Sequence, residues 1–134
     1  MRYMLDTNIC IAIMKKVPPR LRIRLEGLPL EHVGVSSVVI AELWYGITQS
    51  QRQQDNEETL KDFMRYITVL DWPAYAASAY GRIRSHMRKK GTPIGAMDLL
   101  IAAHALSLDA VLVTNNVREF KRVPQLRVEN WISS

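Results

Sequence analysis

The apolar run Ala110–Thr114 is the sequence feature that most limits the fold. It lacks the polar alternation of a half-exposed strand, which predicts a strand buried on both faces. Shorter strands are expected at 2–6, 33–36, 68–70 and 126–128, and helical patterns separate them. Strands that alternate with helices form βαβ units. The sequence therefore predicts an α/β fold with a mainly parallel sheet of four to five strands, covered by helices on both sides.

The helices follow from apolar spacing and from stop signals. They are expected at about 7–17, 20–28, 36–50, 57–67, 73–90 and 95–108. Ser36 or Ser37 is a candidate N-cap for the helix that contains Glu42. The length of 134 residues fits one domain over 1–134.

Cysteine use and hydropathy indicate a cytoplasmic location. The lone Cys10 has no intramolecular disulfide partner, and Asp6 comes too early for the apolar core of a signal peptide. No stretch approaches the roughly 18 apolar residues of a membrane-spanning helix. The expected environment is a reducing cytoplasm.

The charge balance favours an anionic partner. Lys and Arg exceed Asp and Glu by 18 to 13, which gives a formal net charge of +5 and favours a partner such as nucleic acid. Basic residues are concentrated in one acid-free run, namely Arg82, Arg84, Arg88, Lys89 and Lys90. We expect this run to contact phosphates, although a solvated helix face remains the alternative.

Three acidic residues lie inside apolar runs: Asp6, Glu42 and Asp98. An ionised carboxylate that is buried without a partner costs several kcal/mol or more. No Lys or Arg adjoins any of the three in sequence. The simplest joint solution is a shared divalent cation, for which oxygen ligands from separate elements are the expected chemistry.

Each acid also has a purely structural interpretation. Asp6 and Asp98 stand where each could cap a helix or interact with its dipole. Glu42 lies too deep in its helix for a capping box, but it could face solvent. If there is no shared site, all three structural interpretations must be correct at the same time. This is improbable, so a shared site is favoured.

A fourth element follows the strongest strand. Thr114 and Asn116 could hydrogen-bond a metal-bound water or a carboxylate, with Glu119 close behind, and Asn8 invites the same interpretation. The alternative is ordinary turn chemistry. Mg²⁺ or Mn²⁺ held by such groups can activate water and neutralise a phosphodiester, which predicts a nuclease. The scattered histidines, the single cysteine and the missing glycine-rich motifs argue against zinc and nucleotide binding.

Five sequence motifs, which follow one another in a characteristic order, make the chain resemble a PIN domain, and specifically a VapC-type toxin of bacterial toxin–antitoxin pairs. These segments are Met4–Asn8, Ala41–Gly46, Gly91–Asp98, Val113–Phe120 and Val128–Trp131. The resemblance spans nearly the whole chain, and it rests on the order and spacing of the motifs together. It implies the three-layer PIN-like sandwich.

The resemblance also implies a function. It implies a Mg²⁺- or Mn²⁺-dependent endoribonuclease acting on structured RNA, with the anticodon region of a tRNA, such as initiator tRNA, as the best candidate. It further implies a homodimer and inhibition by a VapB-type antitoxin. Asp6, Glu42 and Asp98 match the three core acids of the family. The family's fourth acid commonly stands where this chain has Asn116, and Glu119 is the alternative carboxylate.

Two rival functions remain open at this point. A phosphatase of the haloacid-dehalogenase type also places an Asp at the end of the first strand, but Asn8 stands where its general acid would be. A noncatalytic RNA-binding or regulatory module would use the acids only as caps. It would bind RNA with salt sensitivity and without any metal requirement.

Overall fold

A computed structural model describes residues 1–133 of the chain. Its centre is a five-stranded parallel sheet in the order β3-β2-β1-β4-β5. The strands are β1 (Tyr3–Leu5), β2 (Val33–Ser36), β3 (Thr68–Leu70), β4 (Val111–Val113) and β5 (Val128–Glu129). The expected α/β fold class is confirmed.

Seven α-helices connect the strands within residues 1–133. They are α1 (Thr7–Lys15), α2 (Pro19–Glu26), α3 (Ser37–Thr48), α4 (Gln53–Phe63), α5 (Ala77–Lys89), α6 (Ala96–Ser107) and α7 (Val117–Phe120). Helix α1 packs against α2, α3 and α4, whereas α5 packs mainly against α6. Right-handed crossovers place these two groups on opposite faces of the sheet.

Strand β1 lies at the centre of the sheet, between β2 and β4. Tyr3 aligns with Val33 on one side and with Val111 on the other. All three residues of β1 are buried, as are Val33 and Val35 of β2. The core therefore continues through both faces of the sheet, as the unbroken apolar run in β4 predicts.

Local signals explain several helix ends. The Ser36 side chain caps α3 by accepting a hydrogen bond from the Val38 amide at 3.2 Å. Pro19 occupies the first turn of α2. After α5, Gly91 adopts a left-handed φ of 69°, and the Thr92 amide donates to the Met87 carbonyl at 2.9 Å. This turn reverses the chain, so that α6 packs back along α5.

Several boundaries differ from the sequence-based expectation. The helix expected at 57–67 is α4, Gln53–Phe63, followed by a 3-10 turn, Met64–Tyr66. The helix expected from Pro73 begins as a 3-10 turn, Ala74–Ala76, before α5. The last strand starts at Val128 rather than at Leu126, because Gln125 has a φ of 67° and the Leu126 amide donates to the Val123 carbonyl. Within the described residues, no helix is long and apolar enough to cross a membrane.

Candidate active site

The carboxyl ends of β1 and β4 bring Asp6 and Thr114 together. Leu5 aligns with Val113, and the Asp6 amide donates to the Val113 carbonyl at 3.0 Å. Both side chains are buried, and the Thr114 hydroxyl donates a hydrogen bond to an Asp6 carboxylate oxygen. The carboxyl edge of a parallel sheet is where ligands bind in open α/β folds.

Asp6 also caps α1, so the capping interpretation holds alongside the proposed site role. Its other carboxylate oxygen accepts a hydrogen bond from the Ile9 amide at 2.9 Å. Burial is the largest influence and raises the pKa of Asp6, and the nearby charge of Glu42 raises it further. The hydrogen bonds from Thr114 and Ile9 lower this pKa. The net pKa of Asp6 is raised. Two donors therefore fix this carboxylate in one orientation.

Glu42 lies in the second turn of α3 and is half-buried. Its carboxylate accepts a hydrogen bond of 2.5 Å from the Thr7 hydroxyl in the first turn of α1. This contact joins two helices and holds Glu42 beside Asp6, rather than leaving it free in solvent. The apolar and acidic patterns of the sequence do not predict this role for Thr7, although its position directly after Asp6 is consistent with it.

Asp98 is the third residue of α6, whose N-cap is Gly95. The residue is half-buried, and its carboxylate accepts no hydrogen bond from any residue in the described range 1–133. Burial, followed by the charges of Glu119, Glu42 and Asp6, raises the pKa of Asp98 to about 6. Because the charges of these three side chains act on Asp98, the four carboxylates lie around one region at the carboxyl edge of the sheet.

Asn116 and Glu119 form a connected unit rather than two alternatives. The Asn116 side-chain amide donates to the Glu119 carboxylate, and the Asn116 backbone amide donates to the Thr114 hydroxyl oxygen at 2.9 Å. The chain of contacts therefore runs from Glu119 through Asn116 and Thr114 to Asp6. By contrast, the Asn8 side chain is exposed.

The acidic cluster, by which we mean Asp6, Glu42, Asp98 and Glu119, has no cationic side chain as a partner. Among residues 1–133, none of the four forms an ion pair with Lys, Arg or His. Over the same residues, no three His, Cys, Asp or Glu side chains are gathered closely enough to hold a metal ion by themselves. An Mg²⁺ site fits this arrangement, because Mg²⁺ retains several waters and binds through one or two carboxylates.

The basic run of the sequence divides between two locations on α5. Arg84 and Arg88 line a groove of about 350 Å³ together with Ala96 and Leu99 of α6, and Lys89 and Lys90 follow at the same end. Arg82 instead bonds Ser78 and lines a separate cavity near Leu106. The run is therefore not one continuous patch.

The histidines do not join the acidic cluster. His104 is buried, and its Nδ1 atom hydrogen-bonds the Ser36 hydroxyl at 2.9 Å. Burial lowers the pKa of His104. His104 is therefore a core residue, and it connects α6 to the start of α3.

Comparison with known proteins defines the class of this chain. The family model for the PIN domain matches residues 3–126. The chain belongs to the PIN domain family, as its sequence motifs predict.

Its relatives narrow the class to the VapC-type members. Ribonuclease VapC2 of Rickettsia felis is 43% identical over 132 residues, and the alignment covers 98% of each chain. The tRNA(fMet)-specific endonuclease VapC of Salmonella typhimurium is 40% identical over 131 residues, again with 98% of each chain covered. The solved complex VapBC2 of Rickettsia felis, bound to a DNA fragment from its promoter, superposes with a TM-score of 0.91 at 42% identity, covering 98% of this chain and 99% of the other.

Proposed function

We propose that this protein is the toxin of a VapBC-type pair, a cytoplasmic metal-dependent endoribonuclease that hydrolyses phosphodiester bonds in structured RNA. The observation that carries the proposal is the acidic cluster at the carboxyl edge of the sheet, which has no ion pair within residues 1–133. Clustered carboxylates without a cation repel one another. Their placement is costly to the fold unless a cation binds there.

We expect Asp6, Glu42 and Asp98 to hold Mg²⁺ or Mn²⁺. The cluster offers only oxygen donors, and hard cations prefer oxygen. When bound, such an ion neutralises charge on a phosphodiester and lowers the pKa of a coordinated water. Burial and the charges of Glu119, Glu42 and Asp6 raise the pKa of Asp98 to about 6, and a bound cation would favour its ionised form.

The uncharged neighbours of the cluster orient its oxygens. Thr114 and the Ile9 amide fix Asp6, Thr7 fixes Glu42, and Asn116 fixes Glu119. Groups that orient metal-binding side chains in this way increase the affinity and precision of a site. In this arrangement Asn116 is a positioning residue, and Glu119 supplies the fourth carboxylate.

The proposed substrate is a tRNA, cut in its anticodon region, and initiator tRNA is the first candidate. Relatives from Salmonella typhimurium and Shigella flexneri are named tRNA(fMet)-specific endonucleases. Arg84, Arg88, Lys89 and Lys90 near the first turn of α6 would bind phosphates and position the RNA without reading its sequence. Arg82 lies earlier in α5, farther from the first turn of α6, and would contact a phosphate more distant from the acidic cluster.

The proposed protein partners are a VapB-type antitoxin and a second copy of the chain. Related solved structures are VapBC complexes. A groove of about 390 Å³ adjoins Glu42 and has mainly apolar walls that include Ile11, Met14, Leu43 and Ile47. A partner peptide lying in this groove would reach the acidic cluster and block it.

The test is cleavage of total bacterial tRNA by purified, antitoxin-free protein with and without Mg²⁺ or Mn²⁺. Asp6→Asn, Glu42→Gln and Asp98→Asn should each abolish discrete cuts while circular dichroism remains native. Asp71→Asn is the matched control, because Asp71 is exposed and lies outside the cluster. Cleavage that persists in the three variants, or without metal, would refute the proposal; metal-independent RNA binding alone would favour the noncatalytic module.

A further inference from the structure

A second basic surface borders the acidic cluster on the side of α7. Arg118 lies within α7, and Lys121 and Arg122 follow it directly; we call these three residues the α7 basic cluster. All three are exposed, and none forms an ion pair with another residue in 1–133.

The α7 basic cluster is held close to the acidic cluster by short connections. Asn116 precedes α7 directly, and its side chain bonds Glu119 inside that helix. The Lys121 amide donates to the Val117 carbonyl at 2.9 Å, and the Arg122 amide donates to the Glu119 carbonyl at 3.1 Å. The backbone of the three basic residues is therefore tied to the turn that carries Glu119.

The opposite border is formed by the α5–α6 hairpin. Its turn places the end of α5 beside the start of α6, and Arg84 and Arg88 line the groove between the two helices. Asp98 lies in that first turn of α6. The acidic cluster thus has exposed basic residues at two borders that come from distant parts of the sequence.

The acidic cluster cannot attract RNA phosphates by itself, so basic side chains beside it must do so. Four carboxylates repel a phosphodiester backbone, and even one bound divalent cation leaves the local charge negative. Basic side chains at the borders make the electrostatic potential more positive on either side of the site, which attracts phosphates, and Arg forms paired hydrogen bonds with phosphate. A single border would anchor the RNA on one side of the scissile bond only.

We propose that the α7 basic cluster binds the RNA backbone on one side of the scissile phosphate, while Arg84, Arg88, Lys89 and Lys90 bind it on the other, so that the strand crosses the acidic cluster. The inference rests on the proposed ribonuclease function. It adds Arg118, Lys121 and Arg122 to the substrate surface. These contacts are to phosphate, so they set affinity and register rather than base preference.

The test measures RNA binding in the inert Asp98→Asn background, so that cleavage does not interfere. The variant carries Arg118→Gln, Lys121→Gln and Arg122→Gln. The control carries Lys16→Gln, Arg20→Gln and Arg65→Gln, which are also exposed and lie at the end of α1, in α2 and just before β3, outside both basic clusters. The wild-type formal net charge is +5, and Asp98→Asn removes one negative charge, so the background carries +6. Each set of three substitutions lowers this to +3, so the two variants differ only in where the charge is removed.

Binding of bacterial tRNA is followed by fluorescence anisotropy between about 50 and 200 mM salt. Loss of three phosphate contacts should reduce the slope of log K against log salt by about 2 to 3, since each contact contributes about 0.7 to 0.9. We expect affinity to fall by at least about tenfold at the lower salt, and less than threefold for the control. Equal losses in the two variants would overturn the inference, because they would mean that only net charge matters.

Cleavage by the same α7 variant in the otherwise wild-type protein separates this inference from the proposed function. The loss in kcat/KM should match the loss in affinity and arise from KM. If wild-type protein binds tRNA through the α7 basic cluster but never cleaves it, the ribonuclease proposal fails while the binding surface stands. If it cleaves and the α7 variant behaves like the control, the surface is refuted and the nuclease stands.

Discussion

Replacing Asp98 with Asn should stabilise the metal-free protein. The pKa of Asp98 is raised from 3.8 to about 6 by burial and by the charges of Glu119, Glu42 and Asp6. Because the folded state holds the proton more tightly than the unfolded chain, this carboxyl favours folding below about pH 4. That contribution is lost as pH rises through 6, where the folded protein must carry an unfavourable charge. Asn has no such charge at any pH.

The size of the effect follows from the shift. Two pKa units correspond to about 3 kcal/mol, but Asp98 is only half-buried, so solvent screening reduces this to about 1–2 kcal/mol. Loss of a favourable charge in the first turn of α6 subtracts about 0.5 kcal/mol. We therefore expect a net gain of about 1 kcal/mol at pH 7.5, or about 3–5 °C in Tm for a chain of this length.

Thermal unfolding in EDTA, measured from pH 4 to pH 8, tests this reasoning. The difference between Asp98→Asn and the wild type should be near zero at pH 4 and should grow to its full value above pH 7. Asp71→Asn, which changes an exposed carboxylate outside the acidic cluster, should show no such growth. A lower Tm for Asp98→Asn at pH 7.5, or a difference independent of pH, would refute the electrostatic account of the cluster.

Three other outcomes are expected. Thr114→Val should cost about 1–3 kcal/mol in urea unfolding, because it leaves a buried Asp6 oxygen without its donor; Thr114→Ser, which keeps the hydroxyl, should lose much less, and equal losses would assign the effect to packing. Trp72→Phe should cost about 0.5–1.5 kcal/mol, since the indole N–H donates to an α6 carbonyl at 2.9 Å. Trp44→Phe is its control, as that indole donates no hydrogen bond within residues 1–133, and similar costs for both would contradict the prediction. Mg²⁺ at about 100 times its Kd should add about 2.7 kcal/mol to the wild type, with a much smaller gain for Asp98→Asn; identical gains in calorimetry would place the ion elsewhere.

The fold was predictable because local patterns and topology agree. The unbroken apolar run of β4, the Ser36 cap and the Gly91 turn each signal one element, and alternation of strands and helices leaves few topologies. Strand and helix ends were less predictable, since they depend on turns such as the one at Gln125. Backbone dihedral angles of that kind are set by the surrounding packing rather than by the residue alone.

The site was predictable in its residues but not in its connections. Asp6, Glu42 and Asp98 are conspicuous because each interrupts an apolar run. The hydrogen bond between Thr7 and Glu42 joins residues 35 positions apart, and no local pattern encodes such a contact. The division of the basic run on α5 has a similar cause, because its geometry depends on how α5 lies against α6.

Placement of the first strand at the centre of the sheet also affects when activity can arise during synthesis. The Asp6 carboxylate receives its Thr114 hydrogen bond across a separation of 108 residues, so an emerging chain has β1, β2 and β3 but no partner on the other side of β1. At about 5–20 residues per second, the ribosome needs on the order of 10 s to reach β4. We expect nascent chains stalled before residue 110 to cut no RNA, and the finished chain to become an active ribonuclease only after release. An antitoxin already present would then meet each toxin molecule as its site first assembles.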